Sequence, residues 1–193
     1  YAPTLRGHGD ADRPLGGYRL EDFAADVMEF LDVVGIERAA LVGTSSGGLN
    51  RLDVAKGQFE RFRHDANAPG SLAHDQVRAI LQDADGRLWV GTGEGLDLLD
   101  SRRRTFTHYR HDARNPSSLA DDHVLALLQD RGGVLWVGTR VGGVNKWNPL
   151  SWQFGHVAPD PDNPKALGTG RITSFSEDRA GRLDRHLGAV APV

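Results

Sequence analysis

The chain has 193 residues, a formal net charge of −3 and no cysteine. These values exclude a disulfide framework and a thiolate site, and they offer no strong attraction to nucleic acid or to an acidic membrane surface. No apolar run approaches the ~20 residues of a membrane-spanning helix. The sequence opens on Tyr1 without a basic and apolar signal peptide, so we expect that a segment upstream is missing.

The first predicted element is an amphipathic helix at residues 20–34. Its apolar side chains recur at the spacing of one helix face, at Phe23, Val27, Phe30, Leu31 and Val34. Acidic residues in the first turn suit the positive end of the helix dipole, and Gly35 is a typical stop. A short apolar strand is predicted next, at residues 39–42.

The strand leads into a serine flanked by glycines, Gly43-Thr-Ser-Ser-Gly47. A helix, a strand and a Gly-x-Ser-x-Gly turn are the frame of a nucleophile elbow. Together with Leu5-Arg-Gly-His-Gly-Asp-Ala-Asp-Arg13 upstream, residues 1–48 resemble an α/β-hydrolase. The resemblance implies that Ser45 is the acyl-transfer nucleophile of a serine hydrolase. We treat residues 1–42 as a fragment of that fold, made of a loop, a helix and a strand.

From residue 49 onward the sequence repeats itself at a spacing of 47 to 48 residues. Gly86-Arg-Leu-Trp-Val-Gly-Thr92 returns as Gly133-Val-Leu-Trp-Val-Gly-Thr139. Each repeat predicts four short strands separated by turn-forming residues, at 59–63, 77–82, 88–91 and 96–99 in the first copy. Four strands in a repeat of this length are typical of a β-propeller blade.

These patterns predict a mainly β chain. We expect a partial β-propeller of two to three four-stranded blades, preceded by the short helix–strand segment that resembles an α/β-hydrolase. The propeller-type part is predicted at residues 43–183, followed by a tail at 184–193. Its repeats are placed at 49–95, 96–143 and 144–183.

The repeats resemble those of the two-component-regulator propeller family. The resemblance is carried by Asn115-Pro-Ser-Ser-Leu119 and the residues up to Asp130, followed by Gly133–Thr139, and it covers about residues 49–183. It departs from the family at Asp184, where a Trp is expected. The resemblance implies the sensor region of a bacterial hybrid two-component system, placed in the periplasm and binding a carbohydrate-like ligand.

Ser45 therefore has two interpretations. Aligning residues 42–50 with residues 137–145, at a separation of 95, places Ser45 where Arg140 stands, in a predicted hairpin turn. A hydrolase needs a helix directly after the elbow, whereas here repeat sequence follows. We favour a non-catalytic ligand- or partner-binding propeller fragment, in a chimeric or truncated chain with no complete site. A serine hydrolase is the alternative.

Four tryptophans and two His-Asp pairs are the other candidate site residues. Trp89 and Trp136 lie mid-strand and are predicted to pack between blades, whereas Trp147 and Trp152 are expected to be partly exposed and to contact a ligand. The recurring pairs His64-Asp65 and His111-Asp112 could supply metal ligands, but Asp at such positions more often caps a turn. We expect no metal and no cofactor.

An incomplete propeller has a consequence for partners. Closed propellers have about four to eight blades, and an unclosed array leaves two bare sheet edges. We therefore expect self-association through the open blade edges, and no nucleic-acid partner.

Overall fold

The computed structural model describes residues 14–16, 20–36, 38–41, 48–53, 58–148, 153–158, 160, 163, 167 and 171–188. The chain divides into two compact units. The first comprises Tyr1–Leu41 and Asn50–Arg61, and the second comprises Val42–Leu49 and Phe62–Val193.

The first unit contains the single helix of the described residues and a three-stranded sheet, apart from the terminal residues Leu49 and Phe62 of that sheet. The predicted helix is confirmed, and it ends before Gly35, which has a φ of +70° that favours glycine. The sheet has the order β1-β2-β3, with β1 antiparallel to β2. The elements are α1 (Leu20–Val33), β1 (Arg38–Leu41), β2 (Leu49–Asp53) and β3 (Gln58–Phe62). Among the described residues no helix has the length and apolar character needed to cross a membrane.

The second unit contains two four-stranded antiparallel sheets, each a meander whose strands follow chain order. One consists of β4 (Val77–Gln82), β5 (Leu88–Thr92), β6 (Gly95–Asp100) and β7 (Thr105–Tyr109). The other consists of β8 (Val124–Gln129), β9 (Leu135–Thr139), β10 (Val144–Asn148) and β11 (Gln153–Val157). The prediction of a mainly β chain built from propeller-type four-stranded sheets is confirmed.

A two-stranded sheet of β12 (Arg171–Glu177) and β13 (Leu183–Gly188) follows. It corrects the predicted tail, because residues 184–188 continue β13 and pair with β12 along its length. The first two strands of each of these three sheets share one irregularity, a register shift near the start of the first strand, after Val77, Val124 and Ile172. The third sheet therefore reproduces the first half of the two complete ones.

The sheets are out of phase with the repeat units defined from the sequence. The unit at 49–95 takes the last two strands of one sheet, β2 and β3, and the first two of the next, β4 and β5. A sequence repeat determines the period of an array but not where each sheet begins, since every cut at the same spacing is equivalent.

Glycine lets neighbouring sheets of the second unit approach. A Cβ on Gly91 would lie 2.6 Å from Cγ1 of Val124, and a Cβ on Gly138 would lie 2.6 Å from Cγ2 of Ile172. Val124 and Ile172 are both fully buried. The glycine of each Trp-Val-Gly-Thr motif is thus the site where the first strand of the next sheet packs, which accounts for its place in the repeat.

Candidate functional site

An aspartate closes the first hairpin turn of each complete sheet. Asp83 accepts hydrogen bonds from Nε1 of Trp89 at 2.8 Å and from Nε of Arg87 at 2.7 Å, and it also accepts the Arg87 backbone N–H. Burial alone would raise the pKa of Asp83, but the hydrogen bonds from Trp89 and Arg87 outweigh it and hold the pKa below its ordinary value. This carboxylate is therefore committed to the fold.

The same turn recurs in the next two repeats. Asp130 accepts from Nε1 of Trp136 at 2.7 Å, and Asp178 accepts from Nε of Arg182 at 2.7 Å. A hydrogen bond from the Arg182 backbone N–H is the largest influence that lowers the pKa of Asp178. These acidic residues are turn closures and not a catalytic pair.

The recurring His-Asp pairs also hold the backbone. Nδ1 of His64 lies 2.9 Å from the carbonyl oxygen of Leu72, and Nδ1 of His111 lies 2.9 Å from that of Leu119. The backbone N–H of each histidine donates to an aspartate further along, Asp75 or Asp122. Repetition of both contacts favours the structural interpretation of these residues over metal binding. Nowhere in the described part of the chain do three His, Asp or Glu side chains cluster as metal ligands.

The third strand anchors the connection that enters each complete sheet. Asp97 is fully buried and accepts the Ala73 backbone N–H at 2.7 Å, while Nδ1 of His108 lies 2.6 Å from its other oxygen. Burial raises the pKa of Asp97 even though the hydrogen bond from His108 opposes the shift. In the second sheet the equivalent residue is Asn145, which accepts from the Ala120 N–H at 2.8 Å.

A second contact ties each connection to the outer strand. Nε2 of His108 lies 2.8 Å from the carbonyl oxygen of Pro69, and Nε2 of His156 lies 2.7 Å from that of Ser118. Beside the first connection lies a cleft of about 350 Å³ whose lining includes His64, His108 and Arg110. The connections at 63–76 and 110–123 are therefore held at several points.

A further set of polar side chains, which differs between the two complete sheets, lies along the edge of the sheets where the connections run. Gly93 donates its N–H to the carbonyl oxygen of Gln76 at 3.2 Å, and Arg140 donates its N–H to that of His123 at 3.0 Å. The turns between the second and third strands thus adjoin the connections. The partly or fully exposed polar residues at this edge, here named the loop edge, are His74, Gln76, Glu94, Asp121, His123 and Arg140.

Ser45 and Trp152, both singled out from the sequence, lie outside the described residues. The strands that flank the serine motif pair as a hairpin, with Leu41 opposite Asn50, and residues 49–53 form a strand rather than a helix. Gly48 donates its N–H to the carbonyl oxygen of Asp75, as Gly95 does to that of Asp122. The repeat architecture therefore extends at least to Gly48, which favours the hairpin interpretation of the motif.

The expected exposure of Trp147 is wrong. Trp147 is only 1% exposed and lies in the core, with its ring centroid 4.9 Å from that of Trp89. The guanidinium of Arg87 lies 5.5 Å from the same ring. Trp147 is on the third strand of its sheet and packs on the tryptophan of the preceding sheet, so it covers a neighbour instead of facing solvent.

Two family models match separate parts of the chain. The alpha/beta hydrolase fold matches residues 1–56, and the two component regulator propeller matches residues 71–94 and 118–140.

Curated relatives match over short stretches. An uncharacterized protein of Mycobacterium tuberculosis is 43% identical over 47 residues, which are 24% of this chain and 14% of that protein. The 3-oxoadipate enol-lactonase 2 of Acinetobacter baylyi is 40% identical over 57 residues, which are 30% of this chain and 21% of the enzyme. The aligned stretches thus span no more than about a fifth of these relatives.

Solved structures match a larger share of the chain. The extracellular domain of a B. thetaiotaomicron protein described as a hybrid two component system is similar with a TM-score of 0.60 and 24% identity, over 78% of this chain and 18% of that one. A second, described as a one component system, gives a TM-score of 0.61 and 20% identity over 77% and 18%. At these identities the likeness concerns the fold. The chain thus contains stretches that are similar to the two component regulator propeller, and an N-terminal segment that is similar to the alpha/beta hydrolase fold.

Proposed function

We propose that the repeats form a ligand-recognising segment of a sensor-type propeller and catalyse no reaction. The loop edge carries this proposal. Its backbone is held by contacts that recur from sheet to sheet, yet its side chains differ between the two complete sheets. His74 is replaced by Asp121 in the second sheet, and Gln76 by His123. A rigid frame that presents varied polar groups is typical of a recognition surface.

The chemistry of the loop edge suits a hydroxyl-rich ligand. Histidine, glutamine and arginine donate hydrogen bonds, and the carboxylates Glu94 and Asp121 accept them. The resemblance of the repeats to the two-component-regulator propeller family, which implies a carbohydrate-like ligand, supports this choice, and the family model matches two of the repeats. The prediction that Trp152 stacks on the ligand remains a prediction, whereas the buried ring of Trp147 offers no face for stacking without local opening.

Thermal-shift and calorimetric titration with a panel of neutral and acidic mono- and disaccharides tests this proposal. We expect one sugar class to bind and the double variant Glu94→Ala/Arg140→Ala to weaken it at least tenfold. Both side chains are exposed. Arg140 enters the loop contacts through its backbone N–H, and Glu94 does so through its carbonyl oxygen, which accepts from Nε of Arg110. Arg102→Ala is the matched control, since this exposed arginine lies in the turn at the opposite end of the strands. Absence of binding across the panel, or equal loss in the control, would contradict the proposal.

A serine hydrolase is the second candidate, supported by the hydrolase-fold match at residues 1–56 and by the Gly-x-Ser-x-Gly motif at Ser45. The hairpin of β1 and β2 argues against it, because an elbow leads directly into a helix. A fluorophosphonate probe separates the two functions. Labelling that is lost in Ser45→Ala would establish the hydrolase, and we expect none.

A further inference from the structure

Two groups of described strands correspond to complementary halves of a complete four-stranded sheet. β12 and β13 reproduce the first two strands of a complete sheet, including the register shift. β2 and β3 have the bounds of the third and fourth strands, since Leu49–Asp53 and Gln58–Phe62 each lie 95 residues before Val144–Asn148 and Gln153–Val157. β12 and β13 thus correspond to the first two strands of a complete sheet, and β2 and β3 correspond to the last two.

The free side of β13 is unpaired among the described residues, where its neighbour is β12 alone. β2 does have a second-strand neighbour, β1, but the pairing is off by one residue. In the complete sheet Asn145 lies opposite Val137, so Asn50 should lie opposite Val42. It lies opposite Leu41 instead. β1 therefore lies where the second strand of a complete sheet would lie, but it pairs with β2 in a register shifted by one residue.

One cross-strand pair of side chains in the second sheet has equivalent positions on β13 and β2. In the second sheet Trp136 and Lys146 lie opposite each other on β9 and β10, and Nζ of Lys146 lies 5.5 Å from the Trp136 ring. The equivalent residues are Asp184 on β13 and Arg51 on β2. The cation–π pair of the complete sheet thus corresponds to an acid and a base, which stabilise a sheet when they lie directly opposite.

Burial points to the same gap. Trp89 is fully buried because Trp147, on the third strand of the next sheet, covers it. Trp136 is only partly buried, and Val157 on the outer strand of its sheet is 44% exposed. A third and a fourth strand beside β13 would cover this apolar surface.

We propose that a second copy of this chain supplies those strands, with β2 and β3 of one copy pairing beside β13 of the other in place of β1. Asp184 then lies opposite Arg51 of the second copy. Such a pairing gives the free edge of β13 a defined partner, which differs from the open edge-to-edge growth that unpaired strands otherwise invite. This inference is independent of any ligand.

Sedimentation and light scattering of the 193-residue chain over a concentration series test the proposal. We expect a dimer, a shift of at least tenfold in its dissociation constant for Arg51→Asp and for Asp184→Arg, and recovery in the double variant that exchanges the charges. Arg102→Asp, at an exposed hairpin turn, is the control and should leave the constant unchanged. A monomer at every concentration, or a dimer indifferent to both reversals, would overturn the proposal.

Because Arg51 also pairs with Glu60 on β3, its reversal could weaken β2 itself. Disulfide trapping avoids this ambiguity, since the chain has no native cysteine. Chains carrying Arg51→Cys and chains carrying Asp184→Cys should cross-link when mixed under mild oxidation and form far less dimer separately. Equal cross-linking in the separate and mixed samples would contradict the register and the proposal with it.

Discussion

The two complete sheets share strand order, turn closures and anchored connections, yet their central tryptophans differ in environment. Trp89 is fully buried beneath Trp147, whereas Trp136 is partly buried, although both rings donate Nε1 to an aspartate of their own turn. The sheet that contains a tryptophan positions it, but the third strand of the following sheet decides how well it is buried. Stability in a repeat array is accordingly a property of interfaces as much as of single repeats.

Replacing each tryptophan with alanine is the most direct test of whether the difference in burial between Trp89 and Trp136 affects stability. We expect Trp89→Ala to lower the free energy of unfolding by about 3–5 kcal/mol, the range for a buried aromatic residue, and Trp136→Ala to lower it by less. Both variants lose the same hydrogen bond to aspartate, so their difference reports packing. Urea unfolding followed by circular dichroism measures both. Equal losses at a concentration where the chain is monomeric would contradict the comparison.

Adding a methyl group at the sheet interfaces should have the next largest effect. Gly138→Ala places a Cβ 2.6 Å from Ile172, and we expect a loss of roughly 1–3 kcal/mol, typical of overpacking. Gly155→Ala is the matched control, because the nearest atom to its Cβ would be 3.9 Å away. Unfolding in urea, followed by tryptophan fluorescence, should show a lowered midpoint for Gly138→Ala alone.

The turn closure provides a smaller, pH-dependent effect. The folded pKa of Asp83 lies below its ordinary value of 3.8, so its contribution is present above about pH 4 and is lost as the pH falls through the folded pKa. We expect Asp83→Asn to remove about 1–2 kcal/mol near neutrality and progressively less in acid. Urea midpoints between pH 2.5 and 7 measure the difference, and a difference that is constant with pH would contradict the assignment.

Replacing the buried Asp97 with asparagine, its counterpart in the second sheet, should have the smallest effect on stability. The pH dependence that it removes has the opposite direction to that of Asp83. The pKa of Asp97 is raised in the folded state, so its contribution is greatest below its ordinary value of 3.8 and declines as the pH rises toward the folded pKa. Asp97→Asn, which introduces the amide found at Asn145, removes that decline. Relative to the parent chain the variant should gain at most about 1.4 kcal/mol per pH unit in this window. A difference in unfolding free energy between variant and parent that is constant across this pH window would show that the pKa of Asp97 does not change on unfolding.

Much of the fold follows from local patterns. The period of 47 to 48 residues and the alternation within each strand predicted four-stranded sheets, and the spacing of Phe23, Val27 and Leu31 predicted the helix. The phase of the repeat could not be predicted, because a periodic sequence contains no marker for the first strand of a sheet. β13 was missed since Asp184 replaces the tryptophan that signalled the equivalent strands, while its backbone pairing with β12 is kept.

The candidate site was predicted less well than the fold. The sequence drew attention to aromatic residues, but the polar loop edge became apparent only when the turns at Gly93 and Arg140 were found beside Gln76 and His123. Those residues are far apart in the chain, and nothing in their local pattern distinguishes them from ordinary turn residues. Their closeness could have been anticipated only by superimposing the repeats on a known sheet order.

The sequence by itself determined the helix, the four-stranded period and most of the strand segments, because these depend on neighbouring residues and on a repeat visible in the chain. Only the tertiary structure decided the burial of Trp147, the partial exposure of Trp136 and the contrast between Asp97 and Asn145 in their surroundings. Burial and electrostatics depend on which distant strand packs above a residue. That contact is a property of the assembled sheets and is encoded in no single segment.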